Sequence, residues 1–459
     1  MEARPSPTRT TLSILGALAL ASGPGCHEGT SLPDDVITFN DNGAWCWYQD
    51  PRAIIDPGSG FLLVGSVAAA EGAGGKHRTG DVDLTSYDLG SGEIKRTVLS
   101  RLITDDHDAP SLLRRPDGRY LSLYSNHNHD KFTRFRISAN PYDGTEWVPE
   151  DNFDWRTIDS DFNATYSNLF FLQSELLVYN FSRADNRSPN ILTSADQGAT
   201  WKHRGRLTGA KNLGYVNGYY KYASNGIDRI DFVGTEHHPR DYNTSIYHGY
   251  LKDGKLYRSD DTLVDDDAFD DQPHGITEFT KVFAASTEVD GEPMTHAWPT
   301  DFQLDENGRP VVVFSARAND VPDNSNFNDH RFFHARLDGK EWSVHQLAKA
   351  GARLFTVEED YTGLVALHPD HSDTLYASTP IDPRTGKATP RHEIYRGTTA
   401  NQGATWSWRP ITEDSQVDNI RPIVPHWDGE HTALLWLSGT MTLSQHYDMK
   451  VVGRLFDGY

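Results

Sequence analysis

The chain has 459 residues and a formal net charge of −22, from 65 acidic against 43 basic side chains. That balance excludes the broad basic face a nucleic-acid partner would need, and two cysteines, Cys26 and Cys46, exclude a disulfide framework. With 38 Gly, 24 Pro, 11 Trp and 20 Tyr and no long stretch of helical periodicity, the composition favours short strands joined by turns. An anionic ligand is compatible with this charge only at a local basic site. Acidic runs such as Asp260-Asp261 and Asp265–Asp267 read as solvated loops.

In chain order, the first element has the form of a secretory leader. Arg4 and Arg9 are basic, residues 11–21 are apolar but too few to span a bilayer, and Gly23-Pro24-Gly25 precedes Cys26. This resembles a lipoprotein signal, with Pro24 a departure from the usual residue. The expectation is a leader over 1–25, lipid on Cys26, a tether over 26–33 and a single domain over 34–459. The protein is then exported across the inner membrane and held at a membrane surface. Cleavage by the ordinary signal peptidase would instead release it to the periplasm or medium. Cys46, between Trp45 and Trp47, reads as a small buried hydrophobe.

From residue 34 onward the sequence is a continuous series of strands and turns. Asp117-Gly118, Asp143-Gly144, Asp253-Gly254, Asn307-Gly308 and Asp338-Gly339 are hairpin signals, most followed by an apolar strand such as Tyr120–Tyr124 or Val311–Phe314. Two octapeptides, Ser194-Ala-Asp-Gln-Gly-Ala-Thr-Trp201 and Thr399-Ala-Asn-Gln-Gly-Ala-Thr-Trp406, are near-identical. In each, Asp196 or Asn401 can bond backbone N–H groups, Gly198 or Gly403 supplies a positive φ, and the Trp begins a strand. These are the Asp-boxes of β-propellers. Asp143–Trp147 and Asp338–Trp342 look like degenerate copies. The fold class expected is all-β, a single propeller; at roughly 50–60 residues per four-stranded blade it has seven blades.

The polar residues cluster at predicted strand ends: His107 in Asp105-Asp-His-Asp108, His127 and His129 after Tyr124, Tyr166 before Leu169, Arg183 ending Leu177–Arg183, and Tyr219 entering the next blade. No phosphate loop, dinucleotide fingerprint, nucleophile elbow or His-Glu-x-x-His is present. These segments, together with Trp45–Ala53, Ala297–Asp301, Glu359–Gly363 and Asp418–Pro422, resemble the BNR-4 propellers, which include the ulvan lyases of polysaccharide lyase families 24 and 25. The resemblance implies a seven-bladed enzyme that cuts a sulfated, uronate-containing algal glycan by β-elimination. It also implies roles for His107 and Tyr166 in catalysis and for His127, Arg183 and Tyr219 in substrate binding.

The residue types suit that chemistry. An arginine can neutralise the uronate carboxylate bidentately, and a histidine can act as base near neutral pH. A tyrosine can protonate the leaving oxygen or, as phenolate, take the proton itself; the sequence leaves the base open between His107 and Tyr166. No cofactor is needed for the reaction. His238 and His248, flanking a predicted hairpin, are candidates for a structural ion, zinc or calcium. Two other readings stand beside the lyase: a sialidase-like or other glycoside hydrolase, for which Arg52, Arg183 and Arg421 would form an arginine triad, and a non-catalytic glycan-binding propeller.

Overall fold

A computed structural model describes residues 36–158, 160–209, 218–318, 329–358 and 360–459. The leader, Cys26, the tether and Glu359 lie outside these residues. Among the described residues no helix is long and apolar enough to cross a membrane.

The turn chemistry is realised locally. Gly118, Gly254, Gly308 and Gly339 all have positive φ and close the predicted hairpins. In the first Asp-box, Asp196 Oδ1 accepts from Thr200 N at 2.8 Å, and Ser194 Oγ accepts from Gly198 N at 2.7 Å. Asn401 and Thr399 repeat these bonds at 2.9 and 3.0 Å. The Asp143 segment is a true relative of the box. Its carboxylate accepts from Thr145 N at 2.8 Å, and Trp147 Nε1 donates to Gly144 O as Trp406 Nε1 does to Gly403 O. The Asp338 segment differs: it is a tight hairpin in which Asp338 pairs with Glu341, and Trp342 instead reaches Ser259.

Seven antiparallel sheets follow one another around a ring. Blade 1 holds Ala53–Asp56, Phe61–Val67, Asp81–Asp88 and Ile94–Arg101. Blade 2 holds Ser111–Arg114, Tyr120–Ser125, Phe132–Ile137 and Asp151–Asp154. Blade 3 holds Leu169–Leu172, Leu177–Arg183, Pro189–Ser194 and Lys202–Arg206. Blade 4 begins with Tyr220–Ser224 and Ile230–Gly234 and carries two extra strands, Leu263–Asp265 and Thr280–Phe283. Blade 5 is built on Glu292–Leu304, and blade 6 starts at Val365–Leu367. Blade 7 takes Asp418–Ile423, His431–Leu443 and His446–Asp457 from the C-terminal end and its fourth strand, Ile37–Asn40, from the start of the domain. Pairing of Ile37 with Gly453 and Thr38 with Val452 closes the ring.

The innermost strands of neighbouring blades meet, so Ser111–Arg114 touches both Ala53–Asp56 and Leu169–Leu172, and Glu292–Leu304 touches both Tyr220–Ser224 and Val365–Leu367. The core lies as slabs between blades; Leu121, Leu123 and Phe135 of blade 2 pack on Leu169 and Val178 of blade 3. The boxes serve these slabs. Gly198 sits so close to Leu121 that an added Cβ would lie 2.6 Å from it, and Gly403 presses on His334 of blade 5.

His334 has the cost of that packing. It is 1% exposed against Trp406, and neither ring nitrogen has a hydrogen-bond partner among the described residues. Burial, reinforced by Arg336 and His345, pushes its pKa down to about 3. The unfolded chain binds this proton near pH 6.5, so His334 lowers stability as pH falls from 6.5 toward 3 and leaves it unaffected above. A His334→Leu variant is expected to flatten the acid side of a urea-midpoint-versus-pH curve; an unchanged curve refutes this. Gly403→Ala, forced to φ +91°, is expected to cost roughly 1–2 kcal/mol in the same assay.

Candidate functional site

The site residues sit just before the first strand or just after the second strand of their blades. Both positions fall at the same end of the ring. His107 lies in a short 3-10 turn, Asp106–Asp108, ahead of Ser111–Arg114, and His127 follows Tyr120–Ser125. Tyr166 precedes Leu169–Leu172, Arg183 ends Leu177–Arg183, and Tyr219 precedes Tyr220–Ser224. Blade 6 contributes Glu358 and Tyr361, and blade 7 contributes the Leu443–Gln445 hairpin. Together they enclose a pocket of about 240 Å³ lined by His107, His127, Arg183, Tyr219, His238 and Arg240, among others.

Asp105 organises the histidines. It caps the turn by accepting from His107 N at 3.1 Å. Oδ1 bonds His107 Nδ1 at 2.6 Å, while Oδ2 accepts from His127 Nδ1 at 2.9 Å and from Gln445 Nε2 at 2.5 Å. The two imidazoles stack with centroids 4.2 Å apart and planes 13° from parallel, so only one of them carries a charge comfortably. Burial opposes the charge on His107, but the Cys46 sulfur, Asp105, Tyr166 and Asp106 outweigh it and raise that pKa well above 6.5. Burial and the neighbouring His107 charge lower the pKa of His127, against the pull of Asp105. Asp105 itself is held far below the usual carboxylate range by the two histidines, against burial. With Nδ1 on Asp105, His107 has Nε2 for proton transfer.

Tyr166 has φ +62°, a left-handed backbone rare for an aromatic residue. Its ring lies 5.6 Å from His107 and 6.2 Å from Tyr219. It is 5% exposed and bounds a small recess of about 20 Å³ that shares Arg183 and Tyr219 with the pocket. Burial, together with Tyr219, raises its pKa well above 10, with His107 and Arg183 pulling the other way, so it holds its proton at neutral pH. Arg183 lies over the Tyr219 ring at 4.7 Å and donates Nε–H to Arg187 O at 3.1 Å.

His238 belongs to this pocket and does not pair with His248, which corrects the expected ion site. Its Nδ1 accepts from Arg240 N, which places the proton of the neutral ring on Nε2, where Tyr219 Oη accepts it at 3.1 Å. Tyr219 is left with its own hydrogen to donate into the pocket. Burial, then Arg183, takes the His238 pKa down to about 3. His248 is fully buried between blades, with Nδ1 on Ser259 at 2.8 Å and Nε2 on Asp231 at 3.1 Å. It pairs across the sheet with Val233, and its ring packs on Phe302 and Trp342.

Two other groups bring donor atoms close enough for a cation, Cys46/Asp106/His107 and Asp105/His107/His127. In both, His107 Nδ1 is already hydrogen-bonded to Asp105 Oδ1 at 2.6 Å, so that nitrogen is not open to an ion. The arginine triad is not assembled. Arg52 bonds Asp50 and Cys46 O beneath the site, and Arg421 is buried on Asp106.

Several contributors carried no separate signal in the sequence. Asp105 is one acid of three around His107, and Gln445 stands alone in a hairpin. Arg187 and Arg240 line the pocket, and Glu358 is the single carboxylate lining it among the described residues, bonded to Arg240 at 2.9 Å. Tyr361, inside a segment that could be singled out only by resemblance, packs edge-on against Trp47 at 5.0 Å.

The sequence pattern of the BNR repeat-containing family matches residues 46–350. No curated protein sequence matches the chain. Among solved structures, the PL25 ulvan lyase bound to -[GlcA(1-4)Rha3S]- aligns with a TM-score of 0.63 at 13% identity, over 92% of this chain and 96% of that one. The polysaccharide lyase Uly1 aligns with a TM-score of 0.56 at 12% identity, over 93% and 100%. At such identities the likeness is one of fold. With the family pattern covering well over half of its length, the chain belongs to the BNR repeat-containing family, as a seven-bladed propeller.

Proposed function

We propose that the protein is a polysaccharide lyase that cleaves a uronate-containing, ulvan-like glycan by β-elimination. The observation that carries this reading is the chemistry of the pocket. It gathers Arg183, Arg187, Arg240 and a His–Asp–His stack within an acidic protein, and its single described carboxylate, Glu358, is already paired. Hydrolysis of a glycoside ordinarily requires two carboxyl groups flanking the bond; elimination requires a cation, a base and an acid. The likeness in fold to two polysaccharide lyases supports the same reading. The expected leader and lipid would hold such an enzyme where polymeric glycans are met.

In this mechanism Arg183 receives the uronate carboxylate and stabilises the enolate-like charge that develops on it. His107, deprotonated at Nε2, takes the C5 proton. The electron pair of the C5–H bond forms the C4–C5 double bond, and the C4–O pair leaves on the glycosidic oxygen. Tyr166, which burial keeps as a phenol, protonates that oxygen. Rings 5.6 Å apart suit two groups that serve neighbouring atoms of one sugar. Tyr219 donates to the substrate, and His127, neutral with its proton on Nδ1 toward Asp105, offers Nε2 as an acceptor.

Incubation with ulvan and other polyuronates should produce near-UV absorbance from an unsaturated uronate. New reducing ends without that absorbance would mean hydrolysis, and binding without either would mean a lectin. His107→Ala, Tyr166→Phe and Arg183→Ala are each expected to lose about 100-fold or more in kcat while remaining folded. Near-normal rates in the first two refute the assignment.

The pH dependence follows from the raised pKa of His107. As the base it must be unprotonated, so kcat/KM should climb with pH through a value well above 6.5. Asp105→Asn removes a charge that favours the imidazolium, so the climb should move to lower pH while the maximal rate falls. A profile whose acid limb does not move in Asp105→Asn removes His107 from the role of base.

A further inference from the structure

The Asp106–Asp108 turn is held in place mainly from the far end of the chain. Asp106 N donates to Ser444 O at 2.9 Å, Cys46 N donates to Asp106 O at 3.0 Å, and Arg421 Nη1 donates to Asp106 Oδ2 at 2.6 Å. The same Arg421 nitrogen bonds Trp45 O at 2.6 Å. The other Asp106 oxygen, Oδ1, lies 2.7 Å from His107 Nδ1. One buried carboxylate therefore faces an arginine from blade 7 on one side and the His107 ring on the other.

Arg421 is placed for this with unusual care. It is 1% exposed and has φ +54°, within a register shift between Ile420 and Ile423 that interrupts the pairing of Asp418–Ile423 with His431–Leu443. Such an irregularity re-aims a side chain off the regular strand direction. The guanidinium lies 5.4 Å from the Trp47 ring and 6.0 Å from Phe355, and Arg421 N donates to Gly363 O at 2.8 Å. A fully buried cation serving a single carboxylate is costly for stability alone, and a well-packed apolar residue would fill the space at least as well.

We propose that Arg421 is a positioning residue: through Asp106 and Trp45 it fixes the 105–108 turn and so sets where the His107 ring meets the substrate. The inference rests on the lyase reading for its kinetic consequence and on geometry alone for its structural one. Arg421 does not line the pocket, so its loss acts on turnover and leaves substrate affinity in place.

The test uses the full chain with Arg421→Lys, which keeps the charge on a shorter side chain that must be re-aimed to meet both Asp106 and Trp45 O, and Arg421→Met. Two readouts are followed: kcat and KM on a polyuronate, and the ring ¹⁵N resonances of His107, assigned by their absence in His107→Gln. Gly403→Ala serves as a control for general loss of stability. In Arg421→Lys kcat is expected to fall roughly 10–100-fold with KM within about two-fold, and the His107 resonances to shift; Arg421→Met is expected to lose more. Gly403→Ala should leave those resonances unmoved. An unshifted His107 in folded Arg421→Lys, or an unchanged kcat, overturns the proposal. If Arg421→Met fails to fold, Arg421→Lys decides alone. If the wild-type protein yields no unsaturated product, the lyase reading fails, and the His107 resonances still decide the positioning role.

Discussion

Ring closure by Ile37–Asn40 against His446–Asp457 is the constraint on which the site depends. The four-residue strand delivers Trp45–Tyr48 beneath the pocket, where Cys46 N holds Asp106 O and the Tyr48 ring packs on Tyr166 and Tyr219. The partner strand begins at the hairpin that brings Gln445 to Asp105 and Ser444 to Asp106. Residues from the two ends of the domain thus meet at one turn, Asp106–Asp108. A seventh blade that failed to close would lose the outer strand and also the restraints that orient His107.

The pocket shows how an acidic protein could accommodate the anionic ligand proposed above. Net charge acts over long distances and is screened beyond roughly 8–10 Å in physiological salt. Within a partly buried pocket the near charges dominate. Here Arg183, Arg187, Arg240 and one imidazolium face a single paired carboxylate, Glu358, among the described lining residues. Burial adds to this by choosing protonation states: His127, His238 and Tyr166 are kept neutral, and the stacked histidines share one positive charge between them.

What could be read from the sequence was chemistry confined to a few residues. The Asp-boxes were legible because Asp196 and Asn401 bond backbone groups within five residues of themselves. His107, Tyr166 and Arg183 were legible as an ordered set at strand ends, since a propeller gathers such ends at one face. Asp105, Gln445 and Arg421 were not, because their meaning lies in contacts that span the whole ring. The pairing of His238 with His248 failed for a related reason. His248 is in a strand and points into the slab between blades, whereas His238 lies past the end of its strand and turns toward Tyr219. The degenerate box at Asp338 shows the same limit: its Asp-Gly and Trp are spaced much like the working copy at Asp143, yet the shorter hairpin leaves the carboxylate no backbone to cap.

The floor of the site bears on the kind of ligand the pocket takes. Below it, Lys221 from blade 4 donates to Trp47 O at 2.5 Å and bonds Asp50, which Arg52 also approaches at 3.3 Å, with Asp301 of blade 5 nearby. All four side chains are largely buried, and beyond them the channel widens into an apolar cavity of about 430 Å³ lined by Ile54, Leu113, Phe170 and Val424. A charged plug of this kind excludes passage of a sugar chain through the ring. Tyr166, recessed under the Tyr219 ring, is shielded from bulk water. In the mechanism proposed above, a phenol so buried would protonate the departing oxygen without giving water access to attack the sugar, which would favour elimination over hydrolysis.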